Sequence, residues 1–382
     1  MPAIGMLLPG STLYPSIGID FSQGIRSYFK NNGMNDLALH NFPIGYGLNE
    51  NDIYKQAEKF LLTDDVDVVI AYAGDNIAKR LSPLFAAAGK LLVITNAGAN
   101  YPGSSDNFTN TLFHSLNDSL YSFMTGQLCS RSPEHKKAIM ATSFYDAGYQ
   151  HCHAMVNAHE MGGGEICFNF ISPFSKETFN IKSLAAFIEN NPAINTLLCL
   201  YSGDMARSFY EQIAPLQQQH NLQLFGSPML FDNTPGDFAG VKPFVKHIKG
   251  YLGWTPTLPN LQNQDFIACH KKQFNREANL FSLQGWETAL LVNHYLQQLA
   301  AGASVMEAVA HLQRQPLQSP RGNLRINDNY AVTGPAYLVN ATDDLNIEIE
   351  ETVEDVSMDW KEMMAQVPDA AFSAWQNTYL CI

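Results

Sequence analysis

Metal chemistry is the first that the residue types suggest, because His151, Cys152 and His153 stand together with His159 and Glu160 close behind. Residues two apart on a helix point to different faces, so His151 and His153 are not set to share an ion, and no metal is expected. Phosphate chemistry fares no better. Gly162-Gly163-Gly164 has no following Lys-Ser or Lys-Thr and precedes a strand pattern instead of opening a helix, so it reads as a turn. Gly10-Ser11 and Gly226-Ser227 lack the Gly-x-Ser-x-Gly elbow of a serine nucleophile, and no serine has an evident histidine and acid partner. No catalytic residue and no cofactor are expected.

What the residue types support is the holding of a small polar molecule with an apolar portion. Ligands of open parallel sheets sit outside the carboxyl ends of the strands, where loops lead into helix N-termini. Those loops carry Tyr14 with Ser11, Thr12 and Pro15, then Ala73, Gly74 and Asp75, then Thr95, Asn96, Ala97 and Gly98 in the first half of the chain. The second half offers Tyr145 and Tyr149, then Tyr201, Ser202 and Gly203, then Phe231 and Asp232, with Trp254 further on. Backbone N–H groups at Gly74 and Ala97, with the Thr95 hydroxyl, can take a carboxylate or carbonyl, while the tyrosines supply flat apolar walls with a polar edge. Each residue also has a plainer role. The tyrosines can be half-buried rim residues, Asp232 before Asn233-Thr234-Pro235-Gly236 can form a turn, and Asp75 and Asp204 are placed to cap helices.

The elements that position these loops alternate. Strand patterns at 4–8, 37–42, 66–72 and 91–94 are interleaved with helical patterns at 16–31, 49–62 and 76–88, with Gly33 and Gly89 as left-handed stops. A second series has strands at 138–142, 165–170, 196–201 and 222–225 and helices at 149–161, 181–190 and 204–218. A strand at 247–251, helices at 283–300 and 304–312, and strands at 323–327 and 336–340 follow. Such β-α-β order implies parallel sheets with right-handed crossovers, hence an α/β fold of two doubly wound lobes. The last stretch differs: 346–355 is acidic and alternates with Ile and Val, and 358–381 carries Trp360, Phe372, Trp375 and Tyr379. Those aromatics are costly to leave in water, so the tail is expected to pack on a lobe or a partner.

Length and composition set the outer bounds. A chain of 382 residues is long enough for two cores, and 46% hydrophobic with 15% charged residues is globular. A net charge of -13 repels phosphate backbones, which argues against nucleic acid. No apolar run approaches the ~20 residues that span a bilayer, which argues against membrane insertion. The six cysteines, Cys129, Cys152, Cys167, Cys199, Cys269 and Cys381, are widely spaced without a Cys-x-x-Cys pair and read as buried free thiols. The N-terminus runs from Met1 almost at once into an apolar strand without the pattern of a secretory signal. Either the protein is cytosolic or an export signal was removed.

The order of motifs resembles the type I periplasmic binding proteins, the solute-binding components of ABC importers that include leucine/isoleucine/valine and amide binders. The resemblance rests on Ile4-Gly5-Met6-Leu7-Leu8-Pro9 with Gly18 and Gly24 in the next helix, on Val69-Ile70-Ala71-Tyr72-Ala73-Gly74 and on Leu92-Val93-Ile94-Thr95-Asn96-Ala97. It continues in Tyr145-Asp146-Ala147-Gly148-Tyr149, Gln284-Gly285-Trp286-Glu287-Thr288-Ala289 and Ser319-Pro320-Arg321-Gly322-Asn323-Leu324. It implies a three-crossover hinge between Venus-flytrap lobes, with crossings near Leu116, Leu252 and Tyr330, so that 1–117 and 253–330 form one lobe and 118–252 and 331–382 the other. It also implies Tyr149 and Tyr201 as aromatics covering a ligand and Asp232 near an ammonium group. The partners it implies are a small amino acid, amide or aromatic metabolite and an ABC permease, in the periplasm or otherwise exported. A cytoplasmic ligand-sensing regulator of the same fold, with the tail as partner surface, is the alternative, and an α/β enzyme a third.

Overall fold

The structure is a computed structural model that describes residues 2–101, 108, 110–232, 247–342, 347–367 and 379. The first sheet is built from β1 (Ala3–Leu8), β2 (Ala38–Pro43), β3 (Val68–Tyr72), β4 (Leu91–Asn96) and β5 (Thr111–Ser115), with α1 (Ile17–Asn31), α2 (Glu50–Leu62) and α3 (Asn76–Ala88) between them. Every residue of β3 and β4 is buried, which is why their sequences read as continuous apolar runs, while edge strand β2 alternates between exposed and half-buried positions. Helix α3 stops at Gly89, which adopts a left-handed φ of 61°.

The chain then passes to a second sheet. Its elements are α4 (Asp118–Arg131), β6 (Lys137–Thr142), α5 (Gln150–Met161), β7 (Glu165–Ile171), α6 (Lys182–Asn190), β8 (Thr196–Leu200), α7 (Gly203–His220), β9 (Gln223–Gly226) and β10 (Ile248–Leu252). It returns to the first lobe with α8 (Leu261–Phe274), α9 (Leu280–Ala300), α10 (Val305–Arg314), β11 (Leu317–Ser319), β12 (Gly322–Ile326) and β13 (Ala331–Thr333). It ends in the second with β14 (Ala336–Ala341), β15 (Ile347–Val353) and α11 (Ser357–Ala365), the last packed against α4.

The strand orders are β11-β12-β13-β5-β4-β3-β1-β2 and β15-β14-β10-β9-β8-β6-β7, so two α/β lobes face each other across three crossings. The sheets are not wholly parallel. β11 and β12 pair antiparallel at one edge, and β14 and β15 do so in the other sheet, because short direct connections join them where no crossover helix intervenes. β13 pairs in parallel with β5, so the chain leaves the first sheet at Gly334-Pro335. Asn117 holds this arrangement: its Nδ2 donates to Val332 O at 2.9 Å and its Oδ1 accepts from Gly334 N at 3.3 Å.

Two glycines explain one packing contact. α1 and α9 approach so closely that a Cβ on Gly24 would stand 2.0 Å from Ser282 O, and one on Gly285 2.0 Å from Phe21 O. Cys129 and Cys199 are buried free thiols and Cys152, Cys167 and Cys269 are free and partly buried, whereas Cys381, Phe372 and Trp375 lie outside the described residues. Among the described residues no helix is long and apolar enough to cross a membrane.

Candidate functional site

A cavity of about 610 Å³ opens between the lobes beside the hinge. Leu116 and Asp118 reach it from the first crossing, Trp254 and Thr255 from the second, Phe231 and Asp232 from the second lobe, and Arg276 and Asn279 from the α8–α9 connection of the first. Tyr379 completes its wall. Of the residues expected from the sequence, Phe231, Asp232 and Trp254 line this cavity. Trp254 is set there by its indole N–H, which donates to Asn263 Oδ1 at 2.8 Å.

Its wall carries charged groups of both kinds, Asp118, Asp232 and Glu277 with Arg276 and Arg321. Asp118 opens α4 and is buried, and its Oδ2 has no hydrogen-bond partner among the described residues. Burial first, then the nearby Asp232 carboxyl, push the Asp118 carboxyl well above the usual carboxylate range. The Tyr72 hydroxyl, also buried and without a hydrogen bond among the described residues, feels both Asp118 and Asp232. Arg276 at the rim is engaged by Asp20 at 2.7 Å, and Asp20 in turn accepts from Ser16 and Asn279.

Arg321 belongs to a buried hinge network. Its Nη2 lies 2.8 Å from Glu287 Oε2 and its Nε donates to Glu287 Oε1 at 3.0 Å, while Nη2 also reaches Ser115 O and Nη1 reaches Asn117 Oδ1. His114 Nε2 lies 3.0 Å from Glu287 Oε2 and Ser319 Oγ donates to Oε1 at 2.8 Å. Burial would raise the Glu287 carboxyl, but Arg321 and His114 outweigh it and hold it at about 2. Tyr121 adds a second tie, donating to Gly334 O and Pro335 O while its ring lies against Gly253. All three crossings are thus joined by side chains from α4, α9 and the β11–β12 turn.

The remaining expected residues lie elsewhere in the gap or in the core. Ala73, Gly74 and Ala97 are buried strand-end residues, and the Ala97 carbonyl accepts from Asp118 N at 3.2 Å. Thr95 is buried with its hydroxyl unpartnered among the described residues. Asn96 donates to Ala73 O and Asp75 Oδ1, and that makes Asp75 a partner of Asn96 and not a side-chain cap of α3. Asp204 likewise lies within the first turn of α7, whose N-cap is Ser202.

Tyr201 stacks on Phe209 at 4.2 Å inside the second lobe, and Tyr149 packs edge-on against His151. Tyr145 is half-buried beside Phe144. Ser202 donates both its N–H and its hydroxyl to Asp146, a buried carboxylate held from the other side by Ser143. Tyr14 meets Phe281 and Tyr379 edge-to-face, at 5.4 and 4.9 Å.

His151 and His153 do separate, as residues two apart on α5 must. His151 Nε2 lies 3.2 Å from Asp146 O, and His153 Nδ1 lies 3.2 Å from the Tyr101 hydroxyl. No group of three or more His, Cys, Asp or Glu is placed to hold a metal among the described residues.

The lobes also touch away from the cavity. The N-terminus of α5 donates across the gap, Gln150 N to Asn100 Oδ1 at 3.1 Å and His151 N to Ala99 O at 2.8 Å, and Tyr101 N donates back to Gln150 Oε1 at 2.6 Å. Helix N-terminal donors of one lobe are therefore satisfied by a loop of the other.

Three crossings, two facing sheets and a cavity at their hinge describe a bilobal binding architecture, and a family model for periplasmic binding proteins matches residues 3–345. The chain belongs to that family. Similar solved structures share this periplasmic binding protein fold at low identity. A solute-binding protein of an ABC transporter from Rhodopseudomonas palustris, in complex with 3,4-dihydroxybenzoic acid, is 17% identical at a TM-score of 0.72, over 92% of this chain and 97% of that one. An ABC transporter substrate-binding protein from Sphaerobacter thermophilus is 16% identical at 0.77, over 93% and 98%. The branched-chain amino acid binder LivJ from Streptococcus pneumoniae, in complex with isoleucine, is 12% identical at 0.66, over 93% and 100%. A search of curated protein sequences finds no match.

Sequence reasoning missed Asp118, Arg276, Asn279 and Tyr379 in the cavity wall. The Asn279-x-x-Ser282 capping box was the available signal for the start of α9, and hence for a loop ending at 279.

Proposed function

We propose that this chain is a solute-binding protein whose lobes, 1–117 with 253–333 and 118–252 with the remainder, close on a small metabolite and present it to an ABC permease outside the cytoplasm. The observation that carries the reading is the cavity at the hinge, walled by both lobes and containing the paired carboxyls Asp118 and Asp232 beside the apolar faces of Phe231, Trp254 and Leu116. A ligand that fits has an apolar or aromatic body and an ammonium or amide donor for those carboxyls. The relatives crystallised with isoleucine and with a hydroxylated benzoic acid bracket that class. The former kind is favoured because it carries an ammonium, which the oxygens of Asp118 and Asp232 can accept from, and a benzoate has none.

Binding is tested by thermal shift and calorimetry of the full chain against L-leucine, tyramine and 4-hydroxybenzoate. A compound at ~100 times its Kd adds about 2.7 kcal/mol of stability. An amine-bearing compound should bind, be recovered chemically unchanged, and lose at least tenfold in affinity in Asp232→Asn. Preference for the benzoate, undiminished in that variant, would refute the ligand class, and turnover of the compound would favour an enzyme. A ligand-sensing regulator of the same fold is the second reading, and the return of Tyr379 to the cleft is what favours it.

A further inference from the structure

The C-terminal Tyr379 lies about as deep in the molecule as a core residue, 2% exposed, yet its contacts come from the parts of the chain that frame the cleft. Its ring meets Tyr14, in the β1–α1 loop, at 4.9 Å, and Phe281, at the start of α9, at 5.3 Å, both edge-to-face. Tyr14 and Phe281 also meet each other at 5.4 Å, so three rings close a triangle. The Ser11 hydroxyl donates to the Tyr379 carbonyl at 2.5 Å, fixing the backbone of the intruding residue to a strand-end loop of the first lobe. Tyr379 also borders the hinge cavity with Asp118 and Asp232, and it shares one apolar cluster with Tyr72, Ala97, Tyr201, Phe231 and Trp254. The phenol stands among the Asp232, Asp118, Tyr14 and Tyr72 side chains.

We infer that Tyr379 marks an aryl subsite of the cleft and is its built-in occupant, so that a ligand with an aromatic ring and a hydrogen-bond donor binds by taking the place of the Tyr379 phenol. The inference rests on reading the cleft as the solute site. Its physical content is a competition. The site can accept an external ring only in the fraction of molecules from which Tyr379 has withdrawn, and the apparent Kd is the intrinsic one divided by that fraction. The walls are suited to this exchange. Edge-to-face contacts with Tyr14 and Phe281 are available to any phenyl ring, and the nearby carboxyls of Asp118 and Asp232 offer acceptors to a ligand hydroxyl or ammonium.

The test is calorimetric titration of tyramine, which carries both a phenol and an ammonium, into full-length wild-type protein, Tyr379→Ala, Tyr379→Phe and Ser11→Ala. Tyr379→Ala should bind tyramine at least tenfold more tightly than wild type. Tyr379→Phe, which keeps the ring, should stay within threefold of wild type, and Ser11→Ala, which loosens the occupant without removing it, should fall between. A wall residue gives the opposite sign, so equal or weaker binding in Tyr379→Ala and Ser11→Ala overturns the inference, as does absence of tyramine binding in all four proteins.

Solution scattering separates this from failure of the solute-binding reading. Tighter tyramine binding in Tyr379→Ala with no change of compactness on saturation by any solute would keep the aryl subsite and sink lobe closure. L-leucine closing wild type and Tyr379→Ala with the same affinity would keep the solute-binding reading and sink the occupant.

Discussion

Arg321 and Glu287 face each other fork to fork with both side chains wholly inaccessible to solvent, at 2.8 Å between Nη2 and Oε2 and 3.0 Å between Nε and Oε1. Two of the motifs that carried the family resemblance, 284–289 and 319–324, thus meet at the hinge. Removing one partner leaves the other charge buried. Arg321→Met should cost about 3–5 kcal/mol, read as a lower urea midpoint, whereas truncating an exposed pair such as Lys271 and Glu277 should cost under about 1 kcal/mol. Equal costs would show that the hinge network does not hold the crossings together.

The lobe contact at α5 predicts a change of compactness rather than of folding. Asn100→Ala removes the acceptor for Gln150 N, a bond worth about 1 kcal/mol, or roughly fivefold in the balance between touching and separated lobes. The radius of gyration of the unliganded variant should rise while its melting temperature changes little. An unchanged radius would remove that bond from the closure contacts.

Asp146 gives a pH signature. Burial raises its carboxyl from 3.8 to about 6, against the lowering effect of the Ser143 and Ser202 hydrogen bonds. Between those two values the folded protein keeps a proton that the unfolded chain has lost, so this group's contribution to stability falls as pH rises through that window. The stability of Asp146→Asn relative to wild type should therefore climb from pH 4 to pH 6 and then level off, as followed by urea denaturation. A difference independent of pH would contradict the raised value.

Tyr201 and Tyr145 should part company. Tyr201 is wholly buried on Phe209, so Tyr201→Ala should lose about 3–5 kcal/mol of stability, while half-buried Tyr145→Ala should lose under about 1 kcal/mol. Thermal unfolding of the two variants decides it. A stable Tyr201→Ala would return that ring to the ligand side.

Much of the architecture was legible because buried parallel strands write themselves as apolar runs. β3 and β4 are buried along their whole length, and the helix after β3 ends at Gly89 with a left-handed φ of 61°. α4 was not legible. Its residues Asp118 to Gly126 are all buried, polar and apolar alike, so no amphipathic period marks it, and Gly126 packs against Met155 O in α5 where a Cβ would stand 2.1 Å away. β5 and β13 are short strands that pair with each other from distant parts of the chain, and short strands carry little pattern of their own.

The sequence by itself determined that two α/β lobes form, that strand-end loops frame a gap, and that Trp360 and Tyr379 seek cover, since each follows from local periodicity and the cost of wet apolar surface. Only the tertiary structure decided which loops meet. Phe231, Asp232 and Trp254 reached the cavity while Tyr201 sank into the second lobe, and Asp118, Arg276 and Tyr379 arrived from segments more than a hundred residues apart. The reason is that a cleft is made by packing between lobes, and three chain crossings set its walls through long-range contacts, such as Asn117 with Val332 and Arg321 with Ser115, that leave no local trace in the residues they join.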